Sequence, residues 1–166
     1  MKKILILLCC VFLVACSKSS NALKDISKNI NNSNGYYLDG TLEVMNGDDS
    51  SFYNVKVSFK KDNLFKVSLT NQVNNHEQII LRNNDGVYVL TPSIGKSFKF
   101  QSDWPYNNSQ VYLLQTLLKD INNGEYTYKE TNEGYTFTTN VTYSNDKNRV
   151  KQDINFGKNY LIKSVY

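Results

Sequence analysis

One histidine, three cysteines and twelve tyrosines are the side chains of this 166-residue sequence that could do chemistry. His76 stands in the stretch NNHEQ. Proton relay to a nucleophile needs an imidazole held between two partners, and a histidine set among asparagines reads as a solvated turn residue. No HExxH, CxxC, glycine-rich phosphate loop or DxDxDG run occurs. Asp48 and Asp49 fall in NGDDSS, where aspartate serves its own backbone in a turn. Carboxylates brought together from distant strands leave no mark in spacing, and nothing in the spacing here points to a pair. Tyr126, Tyr128, Tyr135 and Tyr143 recur at alternate positions. That pattern predicts cross-strand packing first, and an aromatic lining for an apolar or glycan ligand second. The expectation is a protein without catalytic residues, metal or cofactor.

The cysteines carry the one chemical signal. Lys2 and Lys3 precede the apolar run ILILLCCVFLV, which contains Cys9 and Cys10 and is too short to be read first as a membrane span. LVAC follows at 13–16. This order of charge, apolar run, small residues and cysteine resembles the bacterial lipobox. The resemblance implies cleavage between Ala15 and Cys16, a diacylglycerol on the Cys16 thiol, and anchoring at the extracytoplasmic face of a membrane. The predicted organisation is a signal peptide at 1–15, a lipidated cysteine with a polar tether at 16–21, and a single domain at 22–166. No cysteine follows Cys16, so the exported chain has no disulfide and no thiolate metal site. The formal charge is +4. Without Lys2 and Lys3 the 19 basic side chains become 17, against 15 acidic ones. That balance is too weak to argue for nucleic acid.

The elements that must position these residues are mostly strands. Leu23, Ile26 and Ile30 have helical spacing and predict a short helix at 22–31. Alternation then marks Leu38–Leu42–Val44, Tyr53–Val55–Val57–Phe59 and Phe65–Val67–Leu69. Two further strands lie around NNDG, and a short one at KSFKF. Pro105 disfavours helix for Trp104, so Trp104 and Tyr106 sit at a junction. Ser109 is the predicted N-cap of a helix whose apolar face is Val111, Leu114, Leu117, Leu118 and Ile121, stopped at Gly124. Two hairpins follow, around TNEG and GKN. The predicted class is mainly β (α+β). A long antiparallel sheet curls, and helices fill its concave side.

The stretch TPSIGKSFKFQSDWPYNNSQVYLLQTLLKDI, residues 91–121, resembles the clostridial spore germination lipoproteins of the GerS group. The order of elements is similar to the LolA lipoprotein-carrier fold. The resemblance implies a LolA-like curved antiparallel half-barrel with helices packed against its open side. It implies a non-enzymatic lipoprotein of sporulation and germination in the envelope of the developing spore. Such a protein supports an N-acetylmuramoyl-L-alanine amidase in modifying cortex peptidoglycan. The alternative is a membrane-anchored carrier or acceptor of lipoprotein or another hydrophobic ligand. Trp104 and Tyr106 are the expected partner surface. LolA-like chains continue beyond the position of Tyr166. The expectation is therefore either a fragment or an exposed last strand that pairs with a second copy or with the amidase.

Overall fold

The computed structural model describes residues 16–46, 48–101, 111–142 and 150–166. Contacts gather the described residues into two compact units, one from within 33–113 and the other from 16–32 together with those within 114–166.

Ser33–Leu113 is an antiparallel meander. Its strands are β1 (Gly35–Asn46), β2 (Asp49–Lys60), β3 (Leu64–Asn71), β4 (Glu77–Asn83), β5 (Gly86–Thr91) and β6 (Lys96–Lys99), and they pair in chain order. Side chains alternate between faces along a strand, and the sequence alternates with them. Val57 pairs with Leu38 on one side and Val67 on the other, and Val67 pairs with Ile80. These residues share one face, and Val55, Val57, Phe65, Val67, Ile80 and Val87 are its buried centre, joined by Leu113. Tyr36 stacks on Phe59 at the rim, with centroids 5.0 Å apart. Lys56, Ser58, Lys60 and Lys66 point the other way and are solvated or half-solvated. Asp62 and Asn63 take φ of 73° and 62° in the β2–β3 turn. Asn and Asp tolerate that left-handed backbone better than other side chains do, which is why KDN makes a tight hairpin.

The second unit begins with α1 (Cys16–Asn32). Ala22, Ile26 and Ile30, four residues apart, are its buried face. The helix starts earlier than the apolar spacing predicts and takes in the polar stretch read as a tether. After α2 (Leu114–Asn123) come β7 (Tyr126–Glu130), β8 (Gly134–Val141), β9 (Val150–Gly157) and β10 (Ile162–Val165). They form a four-stranded sheet in the order β10-β9-β8-β7. Phe137, Ile154 and Phe156 are buried on one face of it, with Phe137 edge-on to Phe156 at 6.0 Å. Leu117, Leu118 and Ile121 of α2 are buried, and α2 packs on β8 and on α1. No described helix is long and apolar enough to cross a membrane.

The architecture corrects the expected LolA-like half-barrel. The mainly β, α+β class is right, but the strands divide into two separate open antiparallel sheets of six and four, and no single sheet curves round the helices. The physical reason lies between β6 and β7. β6 is only four residues long, all of them exposed, and residues 100–125 separate it from β7. The ladder stops there, so β7 starts a new sheet with β8. The helix expected to fill the hollow of a long meander packs instead on β8 of the shorter one.

Candidate functional site

The core face of the six-stranded sheet is not apolar along its whole length. At one end Leu42 pairs with Tyr53, and Tyr53 with Asn71. Leu69, one pair along, faces Gln78. Amides thus occupy positions that elsewhere on this face hold Val, Phe or Ile. The result is a groove of about 450 Å³ floored by Leu42, Val44, Tyr53 and Leu69. Its rim is polar. Asn71 ends β3, Asn74 and His76 come from the β3–β4 turn, Glu77 and Gln78 from the start of β4, and Thr91 from the end of β5.

The turn orients these groups. Asn71 Oδ1 accepts the backbone N–H of Val73 at 2.9 Å and of Asn74 at 3.2 Å. Asn74 Oδ1 accepts the N–H of His76 at 2.9 Å. Asn75 closes the turn with φ 56° and donates its N–H to the Asn71 carbonyl. Side-chain bonding to the backbone of this kind fixes an asparagine. With both carbonyl ends committed, the amino groups of Asn71 and Asn74 remain as donors. Glu77 Oε1 accepts the Ser68 hydroxyl at 2.5 Å on the opposite face of the sheet, because Glu77 pairs with Thr70 whereas Gln78 pairs with Leu69 of the groove. His76 is exposed, and no Lys or Arg lines the groove. The arrangement can hydrogen-bond and pack, but it offers no nucleophile–base pair. Among the described residues no group of three or more His, Cys, Asp or Glu could hold a metal ion.

The tyrosines gather in the other unit. Tyr128 stacks on Tyr135 at 6.2 Å, and Tyr135 on Tyr160 at 5.6 Å. The Lys158 ammonium lies 4.6 Å from the Tyr135 centroid and 2.7 Å from Glu130 Oε1. Tyr128 donates its hydroxyl to Glu130 Oε2 at 3.2 Å, and Tyr160 donates to Asp25 Oδ2 of α1 at 3.4 Å. Partial desolvation, and then the Glu130 carboxylate, push the Tyr128 phenol up to about 12. Tyr160 is also raised, first by the Tyr135 hydroxyl beside it. Tyr160 has φ 63°, a costly backbone for a bulky residue. Its ring stack and the Asp25 contact hold it there. Each ring in this row gives a face to a neighbour, so the row packs its own unit together rather than lining a ligand site.

The residues singled out in the sequence fall as follows. Cys16 is the first described residue, in the first turn of α1, and Ala15 lies outside the described residues. Trp104, Tyr106, Ser109 and Tyr143 also lie outside them. Val111 is half-buried in the turn before α2, Leu114 is half-buried at its start, and Leu117, Leu118 and Ile121 are buried. Asp48 and Asp49 are exposed in the β1–β2 hairpin. Of the groove residues, His76 was read as a solvated turn histidine and Leu42, Val44, Tyr53 and Leu69 as strand positions, but none as part of a binding site. The signal was present in the core-face amides Asn71 and Gln78, but their cross-strand partners are fixed only by register.

Fold and site together define an α+β protein of two open antiparallel sheets with a polar-rimmed groove and no catalytic constellation among the described residues. The chain is similar to the sporulation protein YdcC of Bacillus subtilis (strain 168), at 43% identity over 126 residues. The alignment takes in 74% of this chain and 37% of YdcC, so this chain spans little more than a third of that relative. A solved structure, that of the CwlD amidase from Clostridioides difficile in complex with the GerS lipoprotein, contains a chain that aligns over 90% of this one and 92% of its own length. The identity there is 18% and the TM-score 0.39. No family model matches.

Proposed function

We propose that this chain is a non-enzymatic lipoprotein of sporulation, anchored through Cys16 at the extracytoplasmic face of a membrane. There it binds and supports a cell-wall N-acetylmuramoyl-L-alanine amidase during cortex peptidoglycan modification. The observation that carries the sporulation reading is the 43% identity to YdcC over 126 residues. The lipobox-like LVAC before a cysteine-free remainder supports the anchor. The amidase rests on the GerS-like wording of residues 91–121, and Trp104 and Tyr106 within it are the proposed partner surface. A binding protein needs only a surface that prefers one form of its partner, and aromatic residues supply such surfaces efficiently. The sheets leave β1, β6, β7 and β10 as edges. Such edges can pair with a second copy or with the partner.

The test is affinity capture of the tagged chain from sporulating cells, with the recovered proteins identified by mass spectrometry. Recovery of an N-acetylmuramoyl-L-alanine amidase, reduced by Trp104→Ala at unchanged melting temperature, is the expected result. Recovery of lipoproteins or lipid without an amidase overturns the amidase reading in favour of a hydrophobic-ligand carrier.

A further inference from the structure

The geometry of the groove points to a binding site for a neutral N-acetylated sugar, with the ring seated on Tyr53 and its polar substituents held by the β3–β4 rim. Four observations converge on this chemistry. The volume, about 450 Å³, lies in the range of small-ligand sites and takes roughly one or two pyranose rings. The floor offers an aromatic ring and branched aliphatics, Leu42 and Leu69, for the apolar face of a ring. The rim offers donors and an acceptor side by side: the amino groups of Asn71 and Asn74, and the amide of Gln78 with its amino group and its carbonyl. A sugar hydroxyl donates and accepts at once, and an N-acetyl group adds one donor and one strong acceptor. The fourth observation is electrostatic. No Lys or Arg is among the described residues that line the groove, so an anion entering it would find no counter-charge.

The same features weigh against other occupants. An acyl chain would fill the floor but strand the rim amides without partners, which costs free energy in proportion to how fully they are desolvated. A phosphate or carboxylate headgroup lacks a cation. The donors are already oriented before any ligand arrives, because each asparagine carbonyl is tied to the turn backbone. Preorganised donors lose little entropy on binding. This inference stands on the groove alone and needs no amidase.

Titration of the purified chain with tri-N-acetylchitotriose tests it, followed by calorimetry and by backbone amide NMR. Saturable binding is expected below about 10 mM, with shifts concentrated at Asn74, Glu77 and Gln78. Tyr53→Ala should weaken binding at least about tenfold. Gln78→Ala should weaken it about fivefold with no change in melting temperature. Because Gln78 is exposed, that variant keeps the test valid if Tyr53→Ala fails to fold. N-acetylmuramic acid, whose lactyl carboxylate is ionised, should bind more weakly, and laurate should not compete. Absence of any heat or shift up to that concentration, or tighter binding of laurate, overturns the inference. Co-sedimentation with purified peptidoglycan sacculi that the trisaccharide competes away assigns the site to a glycan strand. Binding of the trisaccharide alone assigns it to a free sugar. Amidase capture by Gln78→Ala should be unaffected, so failure of the sugar site and failure of the partner reading are read separately.

Discussion

Gln152 shows at the residue scale how burial and polarity compete in this protein. It sits on β9 opposite Thr139, 1% exposed, and neither its Nε2 nor its Oε1 has a hydrogen-bond partner among the described residues. A buried amide without partners forfeits its hydration, a cost of about 1–3 kcal/mol. Thr139 beside it is also buried, but its hydroxyl reaches the Asp120 carbonyl at 3.4 Å. Gln152→Met, which keeps length and removes the amide, should therefore raise unfolding stability by about 1–2 kcal/mol in urea titrations with unchanged m-value. A loss of stability would instead show that a bound water satisfies the amide. The tyrosines give a second test. Tyr128 is raised from 10.0 to about 12 and Tyr112, by burial, to about 12. A raised folded pKa means that the neutral phenol is favoured. The stability it contributes is complete below pH 10 and is lost as pH climbs through about 12. Absorbance titration should show Tyr128 and Tyr112 ionising at about 12, and Glu130→Gln should lower the Tyr128 value only in part, because burial is its larger cause. At the acid end, the Thr138 hydroxyl and then the Lys151 ammonium hold the Asp153 carboxyl low. That contribution is present at neutral pH and is lost as pH falls through the lowered pKa.

Elements were legible wherever one face is buried and the other wet. The alternation of Tyr53, Val55, Val57 and Phe59 against Asn54, Lys56 and Ser58 is the register of β2 itself. The turn residues Asn, Asp and Gly mark every hairpin from β2 to β5 and again between β7 and β8. All ten strands lie where the patterns fall. Less legible was the start of α1, because helix can extend into a polar stretch without changing its apolar spacing. The helix α2 illustrates a legible face whose destination was not. Its apolar spacing is plain, yet only packing decides that Ile121, fully buried, lies in the unit of β8. Ile121→Ala should cost about 2–5 kcal/mol in chemical denaturation, the range for emptying a core site. Gly134 makes a steric prediction. It opens β8 opposite Gly157, and an added Cβ would collide with the Phe156 carbonyl oxygen. Gly134→Ala should destabilise by about 1–3 kcal/mol even though alanine favours regular structure. A neutral outcome would mean that the β8–β9 pair is free to separate there.

On the scale of the whole molecule, local pattern predicts strands and helices but not which strands share a sheet. A single curved half-barrel and two open sheets have nearly the same hairpins. They differ in whether β6 and β7 pair, and among the described residues they do not. The groove was hidden for a related reason. Tyr53, Asn71, Leu69 and Gln78 come from three strands and meet only through register. The lipobox reading of Cys16 is of a different kind, because lipidation follows a linear order of residue types and needs no fold. That reading has a physical consequence. A single acyl chain holds a protein to a bilayer only marginally, whereas two chains anchor it stably, at about 0.8 kcal/mol for each buried methylene. No described helix can span a bilayer, and Cys16 is the last cysteine of the sequence. On the lipobox reading, a diacylglycerol on Cys16 is the proposed hold on the membrane. Cys16→Ala should abolish incorporation of labelled palmitate, and the carbonate-resistant membrane pool of the chain should disappear with it. Co-fractionation of the captured amidase with the membrane should be lost to the same extent. Persistence of the chain in the carbonate-washed membrane after Cys16→Ala would assign the anchor to the apolar run before residue 16, and the signal would then be an uncleaved one.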